Sequence, residues 1–210
     1  MIIDLHTHTR FGSNCSYLDP GELARGASEI GLDGVCITEH ELCWEVEALN
    51  ALSQEYGIVV LGGVEVSTEL GQVLVFGVRQ PLWRISSIKE LRAMVYSANG
   101  VMIASHPFRG YMVLKEPPSM EEVLGREIFR MVDAVEVFNG RSMSKELDFG
   151  CEVLAKLKLM GVGGSDAHAV HTIGSCVTIF DREFTTEEKL IAELKAGRFK
   201  AWHRTLNRQF

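Results

Sequence analysis

Short apolar runs rich in β-branched residues recur along the chain, at residues 1–5, 34–38, 58–64, 73–78, 101–104, 134–138, 162–164 and 175–180. Each predicts a buried strand, because the runs are too short for buried helices and too uniformly apolar for surface strands. The intervening segments have helical spacing and recognisable ends. The clearest start is Asp19-Pro20-Gly21-Glu22, where Asp19 can cap, Pro20 suits the first turn and Glu22 completes a capping box. That helix is expected to run to about Ile30, with Gly31 stopping it. Further helices are predicted over 43–56, 87–99, 120–131, 144–160 and 186–196, with Gly100, Gly161 and Gly197 closing three of them. Strand and helix alternate nearly to the end, which argues for a parallel sheet with right-handed crossovers, either open and doubly wound or closed into a barrel. No repeat or Pro/Ser-rich linker divides residues 1–210, so a single domain is expected. Residues 111–118, containing Pro117-Pro118, form the expected irregular excursion, placed where it could cover a site.

Composition narrows this picture. With 46% hydrophobic and 23% charged residues the chain is neither disordered nor fibrous. Lys and Arg total 21 against 28 Asp and Glu, a formal charge of −7, which repels rather than attracts a nucleic-acid backbone. The five cysteines, Cys15, Cys36, Cys43, Cys151 and Cys176, include no CxxC pair and suggest a reducing compartment. The start has no leader-like pattern and no run approaches a membrane span, so a cytoplasmic protein without a membrane partner is expected.

The seven histidines change the picture most. His6 and His8 follow the first predicted strand, His40 the second, His106 the strand at 101–104, and His168 the strand ending near Gly164. Glu65 and Asp166 hold equivalent positions. In a (β/α) barrel all these strand ends converge on one face. Clustered imidazoles and carboxylates suit divalent metal, the imidazoles as borderline ligands and the carboxylates neutralising or bridging the ions. The His-x-His spacing sends His6 and His8 to one side of an extended strand. Singly, each has an ordinary alternative: an accidental His pair, a salt-bridged His40, a turn at His106 before Pro107, a helix cap at Asp166. Their joint placement is hard to explain that way. His171 reads as a loop or substrate-contact residue and His203 as an ordinary residue of the tail.

The ordered motifs Asp4-Leu5-His6-Thr7-His8, Asp19-Pro20-Gly21-Glu22-Leu23, residues 31–40 ending Thr38-Glu39-His40, Gly63-Val64-Glu65-Val66-Ser67, His106-Pro107, residues 136–140 and Gly164-Ser165-Asp166-Ala167-His168 resemble the PHP (polymerase and histidinol phosphatase) superfamily. The resemblance runs from residue 2 to about residue 200. It implies an α/β fold, a distorted (β/α)7 TIM-like barrel, with two to three divalent ions (Mn, Zn or Fe). By the same resemblance His6, His8, Glu65 and Asp166 would bind one ion, Glu65 would bridge to a second held by His106, and His40 and His168 would hold a third. Two positions depart from the family pattern. Asn14 stands where Asp or His is usual, and Gln72 where many members have a further histidine. Both are poorer donors, which weakens the third ion and the second ligand of the middle one.

Such a cluster implies hydrolysis of a small phosphomonoester or phosphodiester, with a metal-bridging hydroxide as nucleophile. Arg109 and Arg141 are candidates for gripping phosphate, against an ordinary role as solvated loop residues. Asn139 could orient a ligand or water, or cap backbone; His168 or His40 could protonate the leaving alkoxide. The expected partner is a small phosphorylated substrate. Two rivals stand beside it. One is an amidohydrolase-type reaction, disfavoured because Lys89, Lys115, Lys145, Lys156 and Lys158 fall in predicted helices or loops. The other is a barrel that has lost metal and serves as a scaffold, for which Asn14 and Gln72 argue weakly.

Overall fold

The computed structural model describes residues 1–40 and 42–210. In chain order the elements are β1 (Ile2–Thr7), α1 (Pro20–Glu29), β2 (Gly34–His40), α2 (Val46–Tyr56), β3 (Val59–Thr68), β4 (Gly71–Phe76), α3 (Ile88–Ser97), β5 (Val101–Ala104), α4 (Met120–Leu124), α5 (Ile128–Met131), β6 (Ala134–Asn139), α6 (Ser144–Leu157), β7 (Gly161–Gly164), β8 (Cys176–Phe180), α7 (Glu187–Ala196), β9 (Phe199–His203) and β10 (Arg208–Gln209). The first helix begins as its sequence predicts. Asp19 accepts from Gly21 N at 2.9 Å and Glu22 reaches back to Asp19 N at 3.3 Å, while Leu23, Ala24 and Ala27 turn inward. Gly31 follows the helix with φ +77°, a conformation that favours glycine.

One sheet holds all the strands, in the order β10-β9-β8-β1-β2-β3-β4-β5-β6-β7. It curls until the segment after β7 returns to β1: Asp166 N donates to His6 O at 2.8 Å and His8 N to Ala167 O at 3.0 Å. The result is the expected single-domain α/β structure, a distorted TIM-like barrel. Ile3, Leu5, Cys36, Leu61, Phe76 and Ile103 pack with Leu190 and Leu194 of α7 in one buried cluster. Leu23, Ala27, Val35, Ile37 and Leu49 join α1 and α2 to the neighbouring strands in another.

The sheet is not wholly parallel. β1–β2, β2–β3, β5–β6 and β6–β7 are parallel pairs, but β4 runs antiparallel to both neighbours. Only Glu69 and Leu70 separate β3 from β4, too little chain for a crossover, so a hairpin is forced. β8, β9 and β10 are antiparallel as well. The helix predicted at 120–131 is two short helices broken at Gly125 and Arg126, whose guanidinium binds the carbonyls of Pro107 and Leu70. α2 starts at Val46 rather than at residue 43, and α6 ends at Leu157 because Lys158 takes φ +55°. β9 and β10 have no counterpart in the sequence reading. Among the described residues no helix is long and apolar enough to cross a membrane.

Candidate metal centre

The polar side chains buried in the barrel gather where the parallel strands end. β1 delivers His6, with His8 just beyond it; β2 ends at His40, β3 carries Glu65, His106 follows β5, and Asp166 and His168 follow β7. His6, His8, Glu65 and Asp166 are all nearly inaccessible to solvent. His6 Nε2 lies 3.0 Å from His8 Nε2, and Glu65 and Asp166 oxygens lie 3.4–3.7 Å from one or both of these nitrogens. His106 Nε2 and His40 Nδ1 each approach a different oxygen of Glu65, at 3.1 Å. Three overlapping sets bring metal-ligating atoms together: His6, His8 and Glu65; His6, His106 and Asp166; His8, His40 and His168.

Hydrogen bonds fix which nitrogen of each ring is free. His6 Nδ1 is 2.9 Å from Glu136 Oε1, and since a carboxylate only accepts, Nδ1 carries the proton. Ser13 gives its hydroxyl proton to Glu39 at 2.6 Å, so its oxygen accepts from His8 Nδ1 at 3.1 Å. His168 Nδ1 donates to Asp166 O at 2.8 Å. Each assignment turns Nε2 towards the cluster, with a lone pair there whenever the ring is neutral. His6 Nε2 and His8 Nε2 then meet across 3.0 Å, where a proton on the His6 ring bridges them and a divalent cation among the surrounding carboxylates can take that proton's place. The donor set therefore fits divalent metal, with Glu136, Ser13 and a carbonyl orienting the rings.

The electrostatics agree. Burial alone would lower the His6 imidazole, yet the charges of Glu136, Asp166 and Glu65 hold it well above its usual value. The pocket demands positive charge. Burial opposes ionisation of Glu65 and Asp166, but the neighbouring imidazoles, with Arg109 beside Asp166, hold both carboxyls well below the usual range. Burial pushes His8 and His168 down, towards the neutral, ligating form. The hydrogen bond to Glu65 pushes His40 up.

Backbone strain marks the same residues. His106 and Asp166 have φ +31° and +53°, rare for non-glycine residues and maintained here by the surrounding contacts. His106 N donates to Glu136 Oε2 at 2.8 Å, and Asp166 N is held by β1.

Residues 4–123 match the PHP domain family and residues 146–199 the PHP-associated family. The chain belongs to the PHP domain family. An uncharacterized protein of Methanocaldococcus jannaschii is 26% identical over 149 residues, which is 66% of this chain and 82% of that protein. In fold this PHP protein is similar to a two-domain protein of Bacteroides vulgatus described as containing a predicted PHP-like metal-dependent phosphoesterase. The TM-score is 0.72 at 16% identity, covering 96% of this chain and 64% of that one. The chain thus spans less than two thirds of the Bacteroides protein. An amidohydrolase of Chromobacterium violaceum, solved with bound sulfate, is also similar, with TM-score 0.63, 17% identity, and 94% and 96% of the two chains covered. At these identities the likeness to the solved structures is one of fold.

The PHP domain brings together His6, His8, His40, Glu65, His106, Asp166 and His168. Asn14 is exposed and makes no side-chain hydrogen bond among the described residues, whereas the neighbouring Cys15 faces His40 and His168. Gln72 opposes Ser67 in the β3–β4 ladder, and its carbonyl accepts from Ser105 N at 3.0 Å. Arg109 Nη2 binds Asn139 Oδ1 and Asp166 Oδ2, and Arg141 Nη1 lies 4.0 Å from the latter. Asn139 is engaged at both ends, donating to Glu136 Oε2 at 3.0 Å and accepting from Arg141 N at 2.9 Å, so it positions Arg109 and a loop rather than pointing freely at a ligand. His171 is exposed on a turn, and His203 lies in β9 with its ring edge-on to Phe138.

Several supporting residues escaped the sequence reading. Glu136 binds His6, His106 and Asn139 at once, and Ser105 donates to Glu65 at 2.7 Å. Glu39 gathers Thr9, Ser13 and the Trp44 indole. Asp4 joins β1 to the far end of the chain by accepting from Ser165 N and Gly174 N, each at 2.9 Å; burial pushes its carboxyl up to about 6 against those hydrogen bonds. One signal was available for all three carboxylates: each is a charge inside a run otherwise patterned for burial, which requires partners.

Proposed function

We propose that this PHP domain is a metal-dependent phosphoesterase that hydrolyses a small phosphomonoester or small phosphodiester. His6, His8, Glu65 and Asp166 would hold one divalent ion, Glu65 and His106 a second, and His40 and His168 a third. Mn, Zn and Fe all suit this mixture of imidazole and carboxylate. Bound there, such ions polarise phosphoryl oxygens and acidify water enough for it to act as nucleophile near neutral pH. The observation that carries the reading is the convergence of His6 Nε2 and His8 Nε2, 3.0 Å apart, on the carboxylates of Glu65 and Asp166, with two arginines beside Asp166.

The chain's own residues supply the remainder. Arg109 and Arg141 bring positive charge to the rim beside Asp166, where their guanidinium groups could meet phosphate oxygens. Asn139 fixes the Arg109 guanidinium, so less freedom is lost when it meets phosphate. His40 and His168, on the accessible side of the cluster, stand either to hold an ion or to protonate the leaving oxygen. The arginines favour a phosphoester over an amide. Lys89, Lys145 and Lys156 lie on α3 and α6, not at a strand end where a lysine could bridge ions.

The test is elemental analysis of the purified protein together with turnover on a panel of phosphate monoesters, diesters and amides, with and without added Mn²⁺. Bound divalent metal and hydrolysis of a phosphoester are expected. Absence of metal and of turnover would overturn the proposal, and turnover confined to amides would replace it with an amidohydrolase.

A further inference from the structure

Beside the open edge of the cluster lies a thiol that the reading above does not use. Cys15 Sγ is 3.1 Å from His168 Nε2 and 3.4 Å from His40 Nε2. In the neutral rings both nitrogens carry the lone pair. His168 has its proton on Nδ1, given to Asp166 O, and His40 has its proton on Nδ1, given to Glu65 Oε2 at 3.1 Å. With both rings neutral, a single S–H proton can satisfy only one of the two nitrogens aimed at the same sulfur. A cation satisfies both and the sulfur as well.

We infer that Cys15, His40 and His168 form a mixed thiolate–imidazole site for a borderline divalent ion of the Zn²⁺ or Co²⁺ kind. This deepens the metal-centre reading and rests on it. Bond lengths of roughly 2.3 Å to sulfur and 2.0–2.1 Å to nitrogen set tetrahedral S···N separations of about 3.5 Å. The observed separations need only a few tenths of an ångström of adjustment. Cys15 thereby takes the place the sequence reading gave to Asn14. The exchange is not neutral: an amide oxygen is a poor, hard donor, whereas thiolate selects borderline and soft ions over Mg²⁺. It also assigns His40 and His168 to ligation rather than proton transfer. As the sulfur–metal bond forms, the thiol proton passes to solvent. The thiol lies on the exposed side, so the outer ion can exchange while the inner residues stay buried.

Cobalt reads both halves of the cluster independently. Full-length protein is stripped with chelator and titrated with Co²⁺; visible d–d absorption reports any bound ion, and thiolate-to-cobalt charge transfer in the near ultraviolet reports a cysteine ligand. The expected result is both signals in the unaltered protein, with loss of the charge-transfer band and of about one ion per chain in Cys15→Ser. Cys15→His, which keeps a nitrogen donor there, is expected to regain the ion without the band. Visible bands without charge transfer in the unaltered protein overturn the Cys15 site and leave the phosphoesterase proposal standing. No cobalt signal at all overturns both. A charge-transfer band that survives in Cys15→Ser assigns it to another cysteine and also overturns the site.

Discussion

The inner and outer halves of the cluster are built on different principles. At the inner half, His6, Glu65 and Glu136 are no more than 1% exposed, and each makes further hydrogen bonds within the protein. Glu136 alone ties a ring nitrogen, the strained His106 backbone and the Asn139 amide. At the outer half, the His40 side chain is 39% exposed, and Cys15 lies on a loop rather than on a strand. The inner half gains precision from fixed tautomers and immobile carboxylates, which lowers the cost of ordering ligands around an ion. The outer half gives up that fixity for access.

Substitutions should separate by which half they strike. The largest effect is expected for His6→Ala or Asp166→Ala, which should abolish turnover and remove inner metal, checked by ion content and kinetics while circular dichroism confirms the fold. Next comes Glu136→Gln. One oxygen can still accept from His6, but the amide NH₂ then faces the His106 and Asn139 donors, so metal affinity should fall about 10–100-fold in a chelator competition. Gly164→Ala should follow, because its added Cβ would sit 2.5 Å from Glu136 Oε1 and from His6 Cβ. Overpacking of this kind costs about 1–3 kcal/mol and should lower the melting temperature as well as metal content. The smallest effect belongs to the exposed Asn14→Ala, expected to leave both stability and ion content within error of the unaltered protein. A loss equal to that of His6→Ala would mean that the outer half is as rigidly specified as the inner one.

The ligands were legible because an imidazole or carboxylate at the end of an apolar run is conspicuous, and parallel strands carry such ends to one rim. Their supports were hidden by the same patterning. Glu136 sits in the middle of Ala134–Asn139, where strand alternation says only that it is buried, not which ring it meets. Asp4 reaches residues at the far end of the chain, a contact that no local spacing encodes. The loop after β1 has no period to read. Its turns, Ser13 N to Thr9 O and Ser16 N to Ser13 O, carry Cys15 to the histidines. The antiparallel β4 was foreseeable from the short connection at Glu69 and Leu70, whereas β9 and β10 are short and interrupted by charge.

The position of Trp44 gives this loop an intrinsic optical gauge. Its indole N–H reaches Glu39 at 3.3 Å, the same carboxylate that receives Ser13 and Thr9, and its ring meets Phe11 edge-on at 6.1 Å. Rearrangement of residues 9–15 must alter the polarity around that indole. Trp83 is exposed and stacked on Arg84, and Trp202 belongs to β9, so Trp44→Phe isolates its share of the emission. Tryptophan fluorescence can therefore follow the loop in real time, without a label and without a substrate.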